Sequence, residues 1–140
     1  MKVIEGGVTA AQGFLAAGLS AGIKKGNTKD MAMLYSKVPC EAAGTFTTNI
    51  VKAAPVKWDQ KIVYESEKAQ AVICNSGIAN ACTGEEGFGC CKETAKAASL
   101  ALNIPEDSVL VASTGVIGQQ IPIEKIKKGI ENMAPLLSES

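Results

Sequence analysis

Residues 109–112 form a short apolar run that ends in Ser113-Thr114-Gly115, and these three residue types suit chemistry at the end of a strand. The run has the length and the Val/Leu content of a buried strand. A strand ending in small polar residues and glycine leaves backbone N–H groups unpaired. Glycine lets that backbone approach a ligand closely, and the Thr114 hydroxyl adds a rotatable donor. Such a pocket can hold an anion, or the oxyanion of an acyl-transfer intermediate. The same tripeptide can also do no more than reverse the chain, and the local motif does not separate the two.

The base for any nucleophile must be found elsewhere. The chain contains no His, and all 14 of its Lys and Arg positions are lysine. A Ser-His-Asp or Cys-His site cannot be built within it, nor a His-ligated zinc site. The five cysteines, at 40, 74, 82, 90 and 91, include no C-x-x-C pair, so no metal ligand set is expected. Their odd number and the absence of a secretory signal in the opening residues lead to the expectation of reduced thiols in the cytoplasm. Cys74 ends a strand pattern and Cys91 falls on a helix stripe, which assigns both to the core.

At 140 residues the chain suffices for one domain, read as residues 1–140, with a real core. Hydrophobic content of 46% against 20% charged residues excludes a disordered chain. Aromatics make up only 4%, so the core should be tight and rich in small residues. Fourteen lysines balance fourteen Asp and Glu, and neither sign forms a long run. The Lys24-Lys25 and Lys127-Lys128 pairs therefore read as solvated faces, with no nucleic-acid partner expected. No segment is apolar and long enough to span a membrane.

Several elements must position the tripeptide. Residues 14–23 read as a strand, because glycines at 18 and 22 would weaken a helix. Residues 24–30 carry Gly26-Asn27, a reversal, and residues 31–35 resume a strand to give a hairpin. Pro39 marks a break. Residues 43–48 alternate enough for a third strand with a polar face, and Pro55 keeps the following segment extended or turning. Residues 58–67 read as a short surface helix. Residues 69–74 form a fourth strand, running into Asn75-Ser76-Gly77. Thr83 and Glu86 fit a capping box at the start of a helix with the stripe Phe88, Cys91, Ala95, Ala98 and Leu102. Asn103 and Pro105 stop it. Residues 109–112 are the fifth strand, and Pro122 opens a last helix with the stripe Ile123, Ile126, Ile130, Met133 and Leu137, ended early by Pro135.

Two strand–polar turn–helix units thus follow one another, each turn carrying Ser and Gly directly after the strand. The simplest physical reading is two neighbouring strands whose ends line one pocket rim, with both helices on a common sheet face.

Six ordered stretches carry a family resemblance. They are Gly6-Gly7-Val8-Thr9-Ala10; Phe14-Leu15-Ala16-Ala17-Gly18 through Gly22-Ile23-Lys24; Ala43-Gly44-Thr45-Phe46-Thr47-Thr48-Asn49; Lys52-Ala53-Ala54-Pro55-Val56; Asn75-Ser76-Gly77-Ile78-Ala79-Asn80-Ala81-Cys82-Thr83-Gly84; and Val111-Ala112-Ser113-Thr114-Gly115-Val116-Ile117-Gly118. Together they cover nearly the whole chain, which resembles the N-terminal part of the ornithine acetyltransferases, the bifunctional glutamate N-acetyltransferases of arginine biosynthesis.

The resemblance implies an α+β fold, a mixed sheet with helices packed on it, within a four-layer αββα self-cleaving acyltransferase. Members are made as a precursor that cuts itself before a threonine into α and β chains, a hetero-oligomer. That threonine becomes the nucleophile and passes acetyl from N-acetylornithine to glutamate. No cofactor is implied, although some members also take acetyl from acetyl-CoA. The oxyanion hole of the family maps onto Thr114 and Gly115, in agreement with the physical reading of that tripeptide. An N-terminal threonine can use its own α-amine as base, which suits a chain without histidine.

Two departures stand out. The cleavage motif and the nucleophilic threonine should lie downstream of Ser140, so the chain resembles an α-chain portion lacking the nucleophile, expected to be inactive alone. Ile78 stands where the family pattern leads one to expect Asn; if an Asn there orders the pocket rim, its hydrogen bond must be replaced. Two further readings stay open: a related self-cleaving N-terminal-nucleophile aminopeptidase, which needs the same oxyanion hole, and a non-enzymatic module that binds a small anion.

The stripe makes one direct prediction. Cys91→Ser should lower stability by ~1–2 kcal/mol, the cost of burying a hydroxyl in an apolar site. A thiol reagent should reach Cys91 only slowly until the protein unfolds. Rapid native-state labelling of Cys91 would show the stripe to be misassigned.

Overall fold

The computed structural model describes residue 3 and residues 5–66 and 68–139. Four strands form one mixed sheet in the order β1 (Phe14–Leu19), β2 (Met31–Glu41), β3 (Lys68–Ile78), β4 (Val109–Val116). The first three are antiparallel neighbours, and β3 and β4 run parallel. A parallel pair needs a long crossover, supplied here by helix α2 (Gly84–Leu102). Helices α1 (Ala54–Glu65) and α3 (Ile123–Met133) complete the layer. The architecture is α+β, with the two expected strand–helix units adjacent.

Strand alternation divides the sheet into two unlike faces. Met31 and Met33 of β2, Ala71 and Ile73 of β3, and Val109 and Val111 of β4 are buried in one cluster with residues of the three helices. The opposite face carries Phe14, Ala16, Leu34, Val72 and Leu110, only half-buried, with Ala32 and Ala112 exposed. Cys74, in register with Ala32, belongs to this second face and is half-buried, not part of the helix-side core. Cys91 is fully buried, as its stripe requires, and burial pushes its thiol up to about 12.

Several local expectations are corrected. The first strand ends at Leu19, because the buried Asp30 carboxylate takes the N–H groups of Ala21 (2.6 Å), Ile23 (2.7 Å) and Lys24 (2.8 Å) out of the ladder. Pro39 does not break β2; the register jumps between Tyr35 and Cys40, and the irregularity accommodates a residue without an N–H. Residues 43–48 are not a strand. Phe46 packs edge-on against Tyr64 of α1, with centroids 5.6 Å apart, so the alternation serves a helix surface.

The expected surface helix starts earlier, at Ala54, with Pro55 in its first turn, and it buries Trp58 and Ile62. Glu67, its expected last residue, lies outside the described residues. The capping box does not form: Thr83 makes no cap bond, and its hydroxyl donates to Asn80 Oδ1 at 2.6 Å. Asn103, left-handed at φ 53°, ends α2. Pro122 immediately precedes α3, and Pro135 lies in a 3₁₀ turn (Ala134–Leu136), so Leu137 falls outside the helix.

β4 is an edge strand, and α1 occupies part of its outer edge. Trp58 Nε1 donates to the Val109 carbonyl at 2.9 Å, and Asp59 Oδ1 accepts from the Val111 N–H at 2.9 Å. Desolvation by burial raises the Asp59 pKa from 3.8 to about 6, against the lowering effect of the Val111 bond. Between those two values the folded chain holds a proton that the unfolded chain has released. The Asp59 contribution to stability is therefore full below 3.8, falls as pH rises towards 6, and is level beyond. Asp59→Asn keeps an oxygen for Val111 and removes the titration. Relative to wild type, the variant should gain stability across this window and keep the gain at neutral pH, read from urea melts at several pH values. A difference that does not change with pH would remove Asp59 from the account.

Candidate functional site

The ends of β3 and β4 lie side by side, with Ser76 opposite Thr114, Gly77 opposite Gly115 and Ile78 opposite Val116. Ser113-Thr114-Gly115 is therefore not a chain reversal but the last part of a strand, four residues longer than the apolar run. The extension depends on glycine. Gly115 sits at φ 132°, and a Cβ there would overlap the carbonyl group of Gly77 and lie 2.7 Å from the Ile78 nitrogen. The absence of a side chain at 115 lets the two backbones meet where a Cβ would hold them apart.

Alternation then separates the three residues. Ser113 points to the helix side, where its Oγ accepts from the Asn80 N–H (3.0 Å) and donates to the Ile78 carbonyl (3.0 Å). Thr114 points to the bare face and is exposed, as is Gly115. In a parallel ladder the backbone groups of alternate residues face alternate neighbours. Val109 and Val111 turn theirs outward to α1, and the Val116 carbonyl faces β3, accepting from Ala79 N–H at 2.9 Å. By the same parity the Gly115 N–H points to the outer edge of β4, outside the ladder. The predicted pair thus offers a hydroxyl on the bare face and an amide at the open edge.

Sequence reasoning missed the polar scaffold behind this pair. Asn75 Nδ2 donates to the Ile78 carbonyl at 2.9 Å. Asn80, 3% exposed, donates through Nδ2 to the Gly87 carbonyl (2.7 Å) and to Cys91 Sγ (3.3 Å). Gly118 N–H donates to the Ala81 carbonyl at 2.9 Å, and Gln120 Nε2 to the Thr83 carbonyl at 3.2 Å. The density of Asn, Ser and Thr after a strand was the available signal, because buried polar groups need partners. Ile78 takes part through its carbonyl, which accepts from both Asn75 and Ser113. The rim is ordered by that backbone oxygen, whatever the side chain at 78.

On the far side of Gly77 stands the loop folded around Asp30. The Asp30 carbonyl accepts from the Ser76 N–H at 2.8 Å, and a Cβ on Gly77 would lie 3.0 Å from Lys24 Cγ. Burial pushes the Asp30 carboxyl up, but its three backbone donors and the Lys24 charge outweigh this and leave it below 3.8. Beyond residues 81–84 lies a cleft of about 260 Å³ lined by Lys52, Lys57, Cys82, Thr83 and Glu85 among others, but by neither Thr114 nor Gly115. Among the described residues no group of three or more His, Cys, Asp or Glu could hold a metal ion.

Known proteins share this fold and much of this sequence. The family model described as ArgJ family matches residues 15–140. The arginine biosynthesis bifunctional protein ArgJ of Gloeobacter violaceus is 47% identical over 137 residues, 98% of this chain and 34% of that protein. The crystal structure of an ornithine acetyltransferase from Mycobacterium tuberculosis, complexed with ornithine, matches with a TM-score of 0.91 at 42% identity, covering 96% of this chain and 72% of that one. The corresponding protein from Bacillus halodurans matches with a TM-score of 0.86 at 41% identity, covering 92% and 69%. The chain spans about a third of the length of the full-length relatives it matches. With the family model covering nearly all of it, the chain belongs to the ArgJ family.

Proposed function

We propose that this chain supplies the oxyanion hole of an arginine-biosynthesis acetyltransferase, which moves acetyl from N-acetylornithine to glutamate through an acetyl-threonine intermediate. The observation that carries the reading is the position of Thr114 and Gly115. A hydroxyl and an amide N–H outside the sheet ladder sit on adjacent residues, on backbone that the glycine at 115 lets pair closely with β3. When a nucleophile attacks the acetyl carbonyl, its oxygen gains negative charge, and preplaced neutral donors stabilise that charge without reorganisation.

The nucleophile lies outside this chain, in the part of the relatives' length it does not span. An N-terminal threonine of a β chain, using its own α-amine as base, fits a partner chain without histidine. Self-cleavage of a common precursor would produce both chains. The bare apolar face of the sheet is where a second sheet packs in a four-layer αββα arrangement, and it brings the nucleophile to the side on which Thr114 stands. Acetyl-CoA is a second donor in this proposal, and the cytoplasm its setting.

Removing one such donor costs about 10²–10³ in turnover. In a full-length protein carrying this region, Thr114→Ala should lower kcat by ~10²–10³ and leave KM for N-acetylornithine nearly unchanged. Thr114→Ser, which keeps the hydroxyl, should retain more activity. If Thr114→Ala folds, cleaves and turns over like wild type, the site assignment is wrong.

The 140-residue chain alone should not exchange acetyl between N-acetylornithine and glutamate, and its bare apolar face should drive self-association. Acetyl transfer by the highly purified chain would overturn the assignment of the nucleophile to another segment. Sedimentation as a monomer at all concentrations would count against the role given to the bare face.

A further inference from the structure

We propose that Ser113 is a positioning residue for acetyl transfer: its hydroxyl clamps the end of β4 to residues 78–80 and so fixes the donors on Thr114 and Gly115. The proposal rests on the reading of those two residues as oxyanion donors.

The clamp uses both capacities of one hydroxyl. Ser113 Oγ accepts from the Asn80 N–H and donates to the Ile78 carbonyl, each at 3.0 Å. Both partners are themselves held. The Ile78 carbonyl accepts also from Asn75 Nδ2 at 2.9 Å, and Asn80 is tied through its side chain to the Gly87 carbonyl, Cys91 Sγ and the Thr83 hydroxyl. The anchor is therefore the buried first turns of α2, not a surface loop. Ser113 is covalently adjacent to Thr114, so a shift of its Cα passes directly into the donor pair. Beyond Gly115 the strand has only one residue left, and the register at 115 rests on glycine, which imposes no conformation by itself. The clamp supplies the constraint that glycine lacks. A misplacement of about 1 Å in a reacting geometry can cost ~10²-fold, so a small loosening reads strongly in turnover.

Serine also leaves no orphan. Replacing it with alanine strands the buried Asn80 N–H, while the Ile78 carbonyl keeps Asn75. The donor pair itself loses no atom, which separates positioning from direct stabilisation.

The test is steady-state acetyl transfer from N-acetylornithine to glutamate by a full-length protein carrying this region, in a double-mutant cycle with Thr114→Ala. Ser113→Ala should lower kcat by about 10–100-fold, with KM for N-acetylornithine within about twofold of wild type. Ser113→Thr, which keeps the hydroxyl, should recover most of the loss. In the Thr114→Ala background, Ser113→Ala should cost clearly less than it does in the wild-type background, because the Gly115 N–H is then the one donor left for the clamp to position. Ser113→Cys keeps the volume and weakens both bonds, and it replaces Ser113→Ala in the cycle if the alanine variant does not fold. Wild-type kcat for Ser113→Ala beside an impaired Thr114→Ala overturns the proposal alone. So does a Ser113→Ala loss that multiplies in full in the Thr114→Ala background, the mark of a purely structural role. An unimpaired Thr114→Ala overturns the oxyanion reading itself, and the proposal with it.

Discussion

The register of β4 against β3 is the constraint on which the rest depends. β4 is one of the sheet's two edge strands, and its side chains alternate between a packed face and a bare one. A slip of one residue would turn Ser113 to the bare face and Thr114 into the helix layer. Three features hold the register. Trp58 and Asp59 of α1 take the Val109 carbonyl and the Val111 N–H on the outer edge. Gly115 fits against Gly77 only because Gly115 carries no Cβ. The Ser113 hydroxyl closes the end. A parallel edge strand, whose pairing is slightly the weaker kind per residue, is thereby tied on both sides.

The polar residues behind the strand ends explain why α2 starts as it does. Thr83 and Glu86 have the spacing of a capping box, yet the Thr83 hydroxyl turns inward to Asn80. Each such buried bond contributes about 1 kcal/mol net, while a stranded buried donor costs ~1–3 kcal/mol, so the network is stable only when complete. Among the described residues every buried side-chain nitrogen and oxygen has a partner. Gly87 belongs to this arrangement. A Cβ there would collide with Thr83 Oγ1 and Asn80 Oδ1, so the helix backbone comes down onto the polar pair. Helix, loop and strand end become one unit, at the expense of an ordinary helix cap.

Much of this was legible in the residues, and what was not has common physical causes. The α2 stripe, the final helix and the paired strand–helix units follow from hydrophobic period and breakers, signals that act over a few turns. The Thr114-Gly115 pair was marked by its position after an apolar run. The misread elements were those decided by distant partners. Residues 43–48 alternate like a strand, but no strand lies beside them and Tyr64 does. Pro39 reads as a stop until the register irregularity in β2 gives it a place. Trp58 looks like a surface residue in a charged segment because its partner, the Val109 carbonyl, lies 51 positions away. The helix does start at Thr83, but the capping box fails for a local reason, since Asn80, three residues earlier, takes the Thr83 hydroxyl.

The far side of Gly77 extends the same logic. Asp30 is almost fully buried and ionised, and three backbone N–H groups of residues 21–24 bond its carboxylate. Those bonds curl the chain after β1 so that Ile23 and Lys24 come against Gly77, with Cγ atoms 3.2 and 3.0 Å from where a Cβ would sit. Gly77, at φ 108°, therefore lies between this loop, which a Cβ on it would meet, and Gly115, whose own Cβ would overlap the Gly77 carbonyl. A side chain at 77 would push the Asp30 loop outward. The buried carboxylate thus acts on the Thr114–Gly115 pair at one remove: it holds the wall against which Gly77 rests, and Gly77 in turn sets how closely Gly115 can approach.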